Sequence, residues 1–245
     1  MAKIIAIANH KGGVAKTTSC VNVAAALAKI GRRVLVVDVD PQANLTSSFT
    51  DESKIEASIY DAMKGAPVPV MHIADNLDLI PSHIDLAGAD MVFSNKIARE
   101  QILRNILDDI KDAYDYIFID TPPALGLVTI NALTAAHSVI ISICAETLPL
   151  RGLVMLDEMI GDIARSINRG LHVSGIIIAK YNRRKLDNAV IDAIRAKYGD
   201  NIFKTFVRTC VAAAEAPTYR QSVLDYAPDS NAAADYMALA KEIDS

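Results

Sequence analysis

The sequence has few cysteines, and their number and spacing exclude several kinds of cross-linked or metal-bearing protein. Only three occur in 245 residues, namely Cys20, Cys144 and Cys210. Their number is odd, they lie far apart and no two form a C-x-x-C pair, which argues against a disulfide framework, a zinc site or an iron–sulfur cluster within one chain. A chain of this length buries roughly three-quarters of its unfolded surface, so it needs no such crosslink to hold a core.

Long apolar runs and an excess of positive charge are also missing. No window approaches about 18 uncharged apolar residues, and the amino-terminal apolar stretch is too short for a signal peptide. We therefore expect a cytoplasmic protein without a membrane span. The last predicted helix, 232–243, is net acidic and does not suit attachment to a membrane surface. With a formal net charge of −4, the molecule as a whole does not attract polyanions, so any nucleic-acid contact requires a local basic patch.

Short apolar runs rich in Ile and Val recur along the chain and predict the strands of a parallel sheet. They are continuous rather than alternating, which is typical of strands buried on both faces. Helical patterns lie between them, so the sequence predicts one doubly wound α/β domain over 1–245, with a mostly parallel sheet and helices on both faces. The predicted strands cover 3–9, 33–38, 77–81, 116–120, 138–143 and 173–179. The predicted helices cover 17–29, 95–113, 127–136, 150–168, 186–198, 218–224 and 232–243.

A glycine-rich segment between the first predicted strand and the first predicted helix has the composition of a phosphate-binding loop. Gly12 and Gly13 let backbone amides approach phosphate oxygens without a Cβ in the way. The start of the following helix offers unpaired N–H groups and the positive end of the helix dipole. Lys16 can then reach the β- and γ-phosphates, and the Thr17 hydroxyl can coordinate Mg²⁺. The residues expected to hold the nucleotide are Lys11, Gly12, Gly13, Val14, Ala15, Lys16, Thr17 and Thr18.

The loop departs from the strict pattern G-x-x-x-x-G-K-[ST], because His10 and Ala15 stand where the two glycines would be. If position 15 requires a positive φ, alanine adds about 1–2 kcal/mol of strain there. The segment matches the variant K-G-G-V-x-K-T-T, with a second lysine at Lys11. With this loop the sequence resembles the deviant-Walker P-loop NTPases, and most closely the ParA/Soj branch of partition ATPases. The resemblance continues in chain order through 37–44 (VDVDPQAN), 115–123 (DYIFIDTPP), 215–217 (EAP), 226–228 (YAP) and 234–242 (ADYMALAKE).

The resemblance implies ATP and Mg²⁺ as cofactors and assigns Lys11, Lys16 and Asp40 to catalysis. Asp40 follows the second predicted strand, at the carboxyl edge of the sheet where ligands bind, and would position the attacking water. Asp38 and Asp120 would join Thr17 in supporting the metal. A structural role for Asp38 and a capping role for Asp120 are the alternatives. Lys11 would reach across a two-fold interface to the partner's nucleotide, making dimerisation depend on ATP, unless it is a solvated surface lysine.

The resemblance also suggests where the base and DNA would bind. It places the adenine between the strand at 176–179 and the loop at 207–211, which makes Asn182 and Arg208 candidate contacts. Asn182 as a turn residue is the alternative. A basic segment near this loop predicts a sequence-independent DNA surface on the ATP dimer, with a solvated loop as the alternative. The residues of this surface are Lys180, Arg183, Arg184, Lys185 and Arg220.

The function implied is an ATP-hydrolysing switch that binds DNA non-specifically as a homodimer and moves a plasmid or chromosome locus. A ParB-like adaptor would stimulate weak intrinsic hydrolysis, and the protein would then associate with the nucleoid. Three other functions stay open. The switch could position a protein cargo, the loop could serve a metabolic synthetase of the biotin or cobyrinate pathway, or the protein could be a nucleotide-dependent scaffold that does not hydrolyse ATP.

Overall fold

A seven-stranded sheet forms the centre of the fold. The computed structural model describes residues 2–145 and 150–245. From edge to edge the strand order is β3-β4-β2-β5-β1-β6-β7. Every pairing is parallel except that of β3 with β4. The strands are β1 (Lys3–Ala8), β2 (Val34–Asp38), β3 (Met71–Ala74), β4 (Leu77–Ile80), β5 (Tyr116–Asp120), β6 (Ser138–Cys144) and β7 (His172–Ala179).

Helices connect the strands and cover both faces of the sheet, as the sequence predicts. In the described segments no helix is both long and apolar enough to cross a bilayer. The helices are α1 (Lys16–Lys29), α2 (Asn44–Ser47), α3 (Ile59–Lys64), α4 (Ala89–Val92), α5 (Ile102–Asp108), α6 (Leu127–Ala135), α7 (Leu150–Ser166), α8 (Lys185–Tyr198), α9 (Val211–Glu215), α10 (Val223–Tyr226) and α11 (Asn231–Asp244).

The core has two layers because side chains of the central strands alternate between the two faces of the sheet. On β5, Ile117 and Ile119 pack into a cluster with residues of α5, α6, α7 and α8. Tyr116 and Phe118 point to the opposite face and pack with α1 and α11. All five residues of β5 are buried, which explains why this strand is a continuous apolar run.

The edge strand β3 lacks the signal that predicts the central strands. Its side chains alternate between partly exposed and exposed, and it pairs with β4 in antiparallel orientation. An edge strand with little buried surface does not need a continuous run of Ile and Val. The sequence therefore predicts the six strands that are joined by parallel pairings, including β7 at the opposite edge, but not β3.

Two helix predictions are wrong in extent. The helix expected over 95–113 is reduced to the seven residues of α5. The left-handed Ala98, with φ 54, interrupts it on the amino-terminal side, and a separate 3-10 turn at Lys111–Ala113 follows it. The helix expected over 218–224 does not form as one unit. Arg220, with φ 55, separates a 3-10 turn at Ala216–Tyr219 from α10. A left-handed residue turns the chain out of a right-handed helix.

Candidate nucleotide-binding site

The carboxyl ends of β1, β2 and β5 meet at one edge of the sheet, and the predicted site residues gather there. β5 lies between β2 and β1, and Asp120 is in register with Asp38 on β2 and with Ile7 on β1. Because these strands are parallel, the loop 9–15 after β1 and Asp40 after β2 emerge beside it. The topology thus brings the loop and the three predicted aspartates together.

The loop between β1 and α1 has the open, left-handed backbone of a phosphate cradle. Gly13 has φ 75 and Ala15 has φ 63. Among the described residues, a Cβ added at Gly12 or Gly13 would meet no atom within 4 Å, so this part of the chain leaves their backbone open to a ligand. Position 15 therefore has the positive φ that strains an alanine, at a cost of about 1–2 kcal/mol.

Two side chains from other strands bind the backbone carbonyls of this loop. Ser142 Oγ on β6 donates to the carbonyl of Val14 at 2.6 Å. Lys180, which follows β7, donates from Nζ to the carbonyl of Gly13 at 3.0 Å. No sequence motif points to Ser142, and the basic composition around Lys180 predicts a DNA contact rather than this one.

Lys16 lies at the start of α1 with 6% of its surface exposed. Burial lowers the pKa of its ammonium, while the carboxyls of Asp120 and Asp40 act to raise it. Lys16 Nζ donates to the carbonyl of Lys11 at 3.3 Å, so the side chain folds back along the loop. A cation held in this position can bind the oxygens of a phosphate that enters the loop.

Thr17 and Asp120 form the contact between the loop and β5. Thr17 Oγ1 donates to Asp120 Oδ2 at 2.6 Å. Asp120 is fully buried, and within the described residues its second oxygen, Oδ1, has no hydrogen-bond partner. Burial raises the pKa of Asp120 well above its usual range, and the nearby Asp38 raises it further. A buried carboxylate oxygen without a donor calls for a partner that this part of the chain does not supply.

A magnesium ion fits this unmet requirement. Mg²⁺ prefers oxygen ligands and is usually bound through one or two side chains together with waters and substrate phosphates. The described residues contain no cluster of three or more His, Cys, Asp or Glu side chains suited to a metal. A cation here would therefore be held by Thr17 and Asp120 together with phosphate oxygens.

Asp38 and Asp40 make different contacts although they are close in sequence. Asp38 Oδ1 accepts the amide of Asp40 at 3.0 Å, and Oδ2 accepts the amide and the hydroxyl of Thr46 at 2.8 and 2.7 Å. Burial raises the pKa of Asp38 to about 6. Asp40 lines the cavity in front of the loop, and its Oδ1 accepts the amide of Gln42 at 2.9 Å. Asp40 is therefore available to a ligand in the cavity, while Asp38 holds the turn between β2 and α2.

The cavity has a volume of about 460 Å³ and lies between the phosphate loop, Asp40 and the carboxyl-terminal part of the chain. This volume is within the usual range for small-molecule sites. The sequence motifs assign no role to several residues of its walls, although Gln42 and Asn44 lie in the segment 37–44 and Pro217 in the segment 215–217 of the family resemblance. They are Asn22, Gln42, Asn44, Pro217 and Gln221.

The two predicted base-contact residues are not among those that line this cavity in the described part of the chain. The amide N–H of Asn182 donates to Asp187 at 2.7 Å in the turn after β7. Arg208 forms a two-bond ion pair with Asp235 on α11, at 2.9 Å from Nε and 2.6 Å from Nη2. The role of both residues in base binding stays a prediction.

The remaining residues of the predicted DNA surface lie in two places. Arg183 has φ 60 in the turn after β7, and Arg184 and Lys185 form the cap and first residue of α8. Arg220 is ion-paired with Asp51 at 2.5 Å. Its guanidinium is thus engaged within the chain, and its contribution to DNA binding stays a prediction.

Similarity to known proteins agrees with this geometry. The sequence matches an AAA domain family over residues 2–173. It is 41% identical over 249 residues to the sporulation initiation inhibitor protein Soj of Bacillus subtilis, with 99% of this chain and 98% of that protein covered.

Two solved structures are similar over nearly the whole chain. A cobyrinic acid a,c-diamide synthase from Mycobacterium smegmatis, with bound ATP analog and magnesium, is 32% identical with a TM-score of 0.86, covering 98% of this chain and 93% of that one. A putative plasmid partition protein from Borrelia burgdorferi, bound to AMPPNP, is 27% identical with a TM-score of 0.81, covering 99% and 97%. Sequence and structure together show that this chain belongs to the ParA/Soj family of partition ATPases.

Proposed function

We propose that this chain is an ATP-hydrolysing switch that uses Mg²⁺. The observation that carries the proposal is the contact between Thr17 and Asp120, which leaves one buried carboxylate oxygen for a cation at the phosphate loop. Membership of the ParA/Soj family supports it. The ATP analog and magnesium bound to the similar synthase, and the AMPPNP bound to the similar partition protein, support ATP and Mg²⁺ as ligands here.

Residues at and beside the phosphate loop have different roles in the proposed hydrolysis. Backbone N–H groups of 12–16 hold phosphate oxygens, and Lys16 places a positive charge at the β- and γ-phosphates. Thr17 and Asp120 would hold magnesium, which when bound would neutralise further phosphate charge. Asp40 orients a water in line with the γ-phosphorus. The water oxygen forms the new bond to phosphorus as the bond to the β-phosphate oxygen breaks, giving ADP, phosphate and a proton that is released to solvent.

Dimerisation and DNA binding are the finer parts of the proposal. Lys11, exposed on the loop, reaches the nucleotide of a second copy, so that two subunits associate only when ATP is present. Two-fold symmetry then doubles the basic segment at 180–185, which gives sequence-independent and salt-sensitive binding to DNA phosphates. A ParB-like adaptor stimulates hydrolysis and releases the DNA, which moves a plasmid or chromosome locus in the cytoplasm.

The similarity to a cobyrinic acid a,c-diamide synthase favours a second candidate function. A synthetase would use the same loop to activate a substrate carboxylate, and it would bind DNA in neither nucleotide state. A switch that positions a protein cargo would share the ATPase cycle and differ in its adaptor. DNA retention that depends on ATP therefore separates the partition switch from the synthetase.

Phosphate release and subunit association, measured together, test the proposal. Wild type is expected to hydrolyse ATP slowly in the presence of Mg²⁺ and to dimerise with ATP but not with ADP. Asp40→Ala removes the group that orients the water, so turnover is expected to fall about 100-fold or more while the ATP-dependent dimer persists. Turnover no higher than background in both wild type and Asp40→Ala would favour the non-hydrolysing scaffold, whereas equal and measurable turnover in the two would contradict the role of Asp40. Failure of wild type to bind ATP would contradict the proposal.

A further inference from the structure

The phosphate loop is held from outside by side chains of β6 and of the turn after β7. Ser142 Oγ donates to the carbonyl of Val14, and Lys180 Nζ donates to the carbonyl of Gly13, at 2.6 and 3.0 Å. Asn9 strengthens the link to β6, because its Nδ2 donates to the carbonyl of Ser142 at 2.7 Å. Two consecutive carbonyls of the loop are thus fixed by residues more than a hundred positions away in sequence.

Fixing these carbonyls also fixes the amides on which phosphate binding depends. A trans peptide unit is planar, with its C=O and N–H pointing in opposite directions. A donor on the Gly13 carbonyl therefore sets the direction of the Val14 N–H, and a donor on the Val14 carbonyl sets that of the Ala15 N–H. Gly13 and Ala15 both have positive φ, and Ala15 resists this conformation, so external bonds are needed to keep this backbone in place.

Lys180 is itself held in a backbone conformation that keeps its side chain on the loop. It has φ 53, which a non-glycine residue adopts only where its surroundings impose it, often at functional sites. Two hydrogen bonds fix the backbone on its carboxyl-terminal side. Its carbonyl accepts Asn182 Nδ2 at 3.2 Å, and the next residue, Tyr181, donates its amide to the carbonyl of Val207 at 3.0 Å.

We propose that Lys180 is a positioning residue for the nucleotide, with Ser142 as its buried counterpart. The ammonium of Lys180 and the hydroxyl of Ser142 hold the two peptide units that follow Gly13, so that the Val14 and Ala15 amides face the phosphates before the nucleotide binds. Lys180 thereby belongs to the phosphate site, in addition to any contribution to the basic segment. This inference rests on the proposed function, because it deepens the description of the same site.

Nucleotide affinity of Lys180 variants tests the inference. Lys180→Met keeps the length and the apolar stem of the side chain but removes the donor. The dissociation constants for ADP and AMPPNP, measured by calorimetry with Mg²⁺, are expected to rise roughly three- to tenfold. Lys180→Arg keeps a charged donor and is expected to restore most of the affinity. Lys241→Met, on the exposed face of α11, removes the same charge away from the loop and is expected to leave both constants unchanged.

Nucleotide affinity measured at high salt distinguishes a positioning hydrogen bond of Lys180 from long-range attraction between its charge and the phosphates. Long-range attraction is screened at about 0.5 M salt, so a loss of affinity that persists there reflects the lost hydrogen bond. Thermal unfolding without nucleotide is expected to be unchanged in Lys180→Met, because the side chain is only partly buried. Ser142→Ala is expected to weaken binding as well. The double variant is expected to lose less than the sum, because both bonds act on adjacent peptide units.

The outcomes distinguish this inference from the proposed function. Two results would overturn the positioning role and leave the ATPase proposal intact, provided that wild type binds nucleotide. One is that the dissociation constants of Lys180→Met equal those of wild type. The other is that the loss of nucleotide affinity in Lys180→Met disappears at high salt. Failure of wild type to bind either nucleotide would overturn both. A loss of affinity that Lys180→Arg reverses and Lys241→Met does not reproduce would support the inference.

Discussion

Thr17 Oγ1 donates to Asp120 Oδ2 at 2.6 Å, which joins the start of α1 to the end of β5. The bond leaves Asp120 Oδ1 buried and without a partner among the described residues. A fully buried carboxylate in this state is costly without a compensating cation or donor. In the proposed function this pair supplies two of the ligands of a magnesium ion, and the phosphates of a nucleotide would supply further oxygens.

Asp120→Asn is expected to abolish the effect of Mg²⁺ on nucleotide affinity without abolishing nucleotide binding. The amide keeps the shape of the side chain but loses the negative charge that attracts a divalent ion. We expect ADP to bind with similar affinity in EDTA, the increase in affinity on adding Mg²⁺ to disappear, and ATP turnover to fall about 100-fold. Calorimetry with and without Mg²⁺ measures the first two effects. A normal response to Mg²⁺ in this variant would place the ion elsewhere.

Asp38→Ala is expected to act on folding rather than on the metal. The substitution leaves the amides of Asp40 and Thr46 and the Thr46 hydroxyl without the acceptor they now share. Stranding buried donors in this way is expected to lower the free energy of unfolding by roughly 2–4 kcal/mol. Urea unfolding of wild type and variant without nucleotide measures it. Unchanged stability together with a lost response to Mg²⁺ would instead make Asp38 a metal ligand.

Asp115→Asn is expected to reveal an acid-sensitive contact far from the cavity. Hydrogen bonds from the side chain and the amide of Arg33 lower the pKa of Asp115 to about 2. Because the folded state lowers this pKa, the contact stabilises the protein fully above the ordinary pKa of about 3.9 and is lost as pH falls towards 2.

Urea unfolding at several pH values measures the contribution of Asp115. At pH 7 we expect the variant to be less stable by about 1 kcal/mol, since the pair is partly exposed, and the difference to shrink as pH falls below about 4. Asp112→Asn makes the same charge change on an exposed neighbouring turn and is expected to have little effect. A difference between Asp115→Asn and wild type that does not depend on pH would contradict the assignment.

Ala15→Gly is expected to stabilise the chain by about 1 kcal/mol, because glycine adopts a positive φ without the cost that alanine carries. Ala28→Gly is the matched control. It makes the same chemical change in the right-handed backbone of α1 and is expected to destabilise by about 1 kcal/mol. Thermal unfolding of the two variants measures both effects. Destabilisation by both substitutions would show that position 15 is not strained.

The parts of the fold that the sequence predicts are those that a single buried segment determines. β5 is a continuous apolar run because both of its faces are buried. β3 escapes prediction because it lies at the edge with alternating exposure. The interruption at Ala98 has φ 54, but alanine is a good helix former, so no local signal indicates a break there.

The residues of the candidate site also fall into two groups, those that the sequence predicts and those that it does not. Lys16, Thr17 and Asp120 belong to local motifs, and the parallel sheet brings them together as expected. Ser142 and Lys180 contact the loop only because β6 and β7 continue the sheet beside β1, and no local pattern expresses that relationship. Sequence motifs indicate the residues that we expect to touch the ligand, whereas the residues that we propose to position the loop are found only from the topology.

Co-sedimentation with DNA is the most direct test of the proposed ATP-dependent partition switch. Wild type and Lys11→Ala are sedimented with non-specific DNA in ATP or in ADP, at low salt and at high salt. We expect wild type to be retained with ATP but not with ADP, salt to reduce retention steeply, and Lys11→Ala to abolish it. Lack of retention at low salt in every nucleotide state, while ATP is still bound, would contradict the partition switch and favour an ATPase with another substrate or surface.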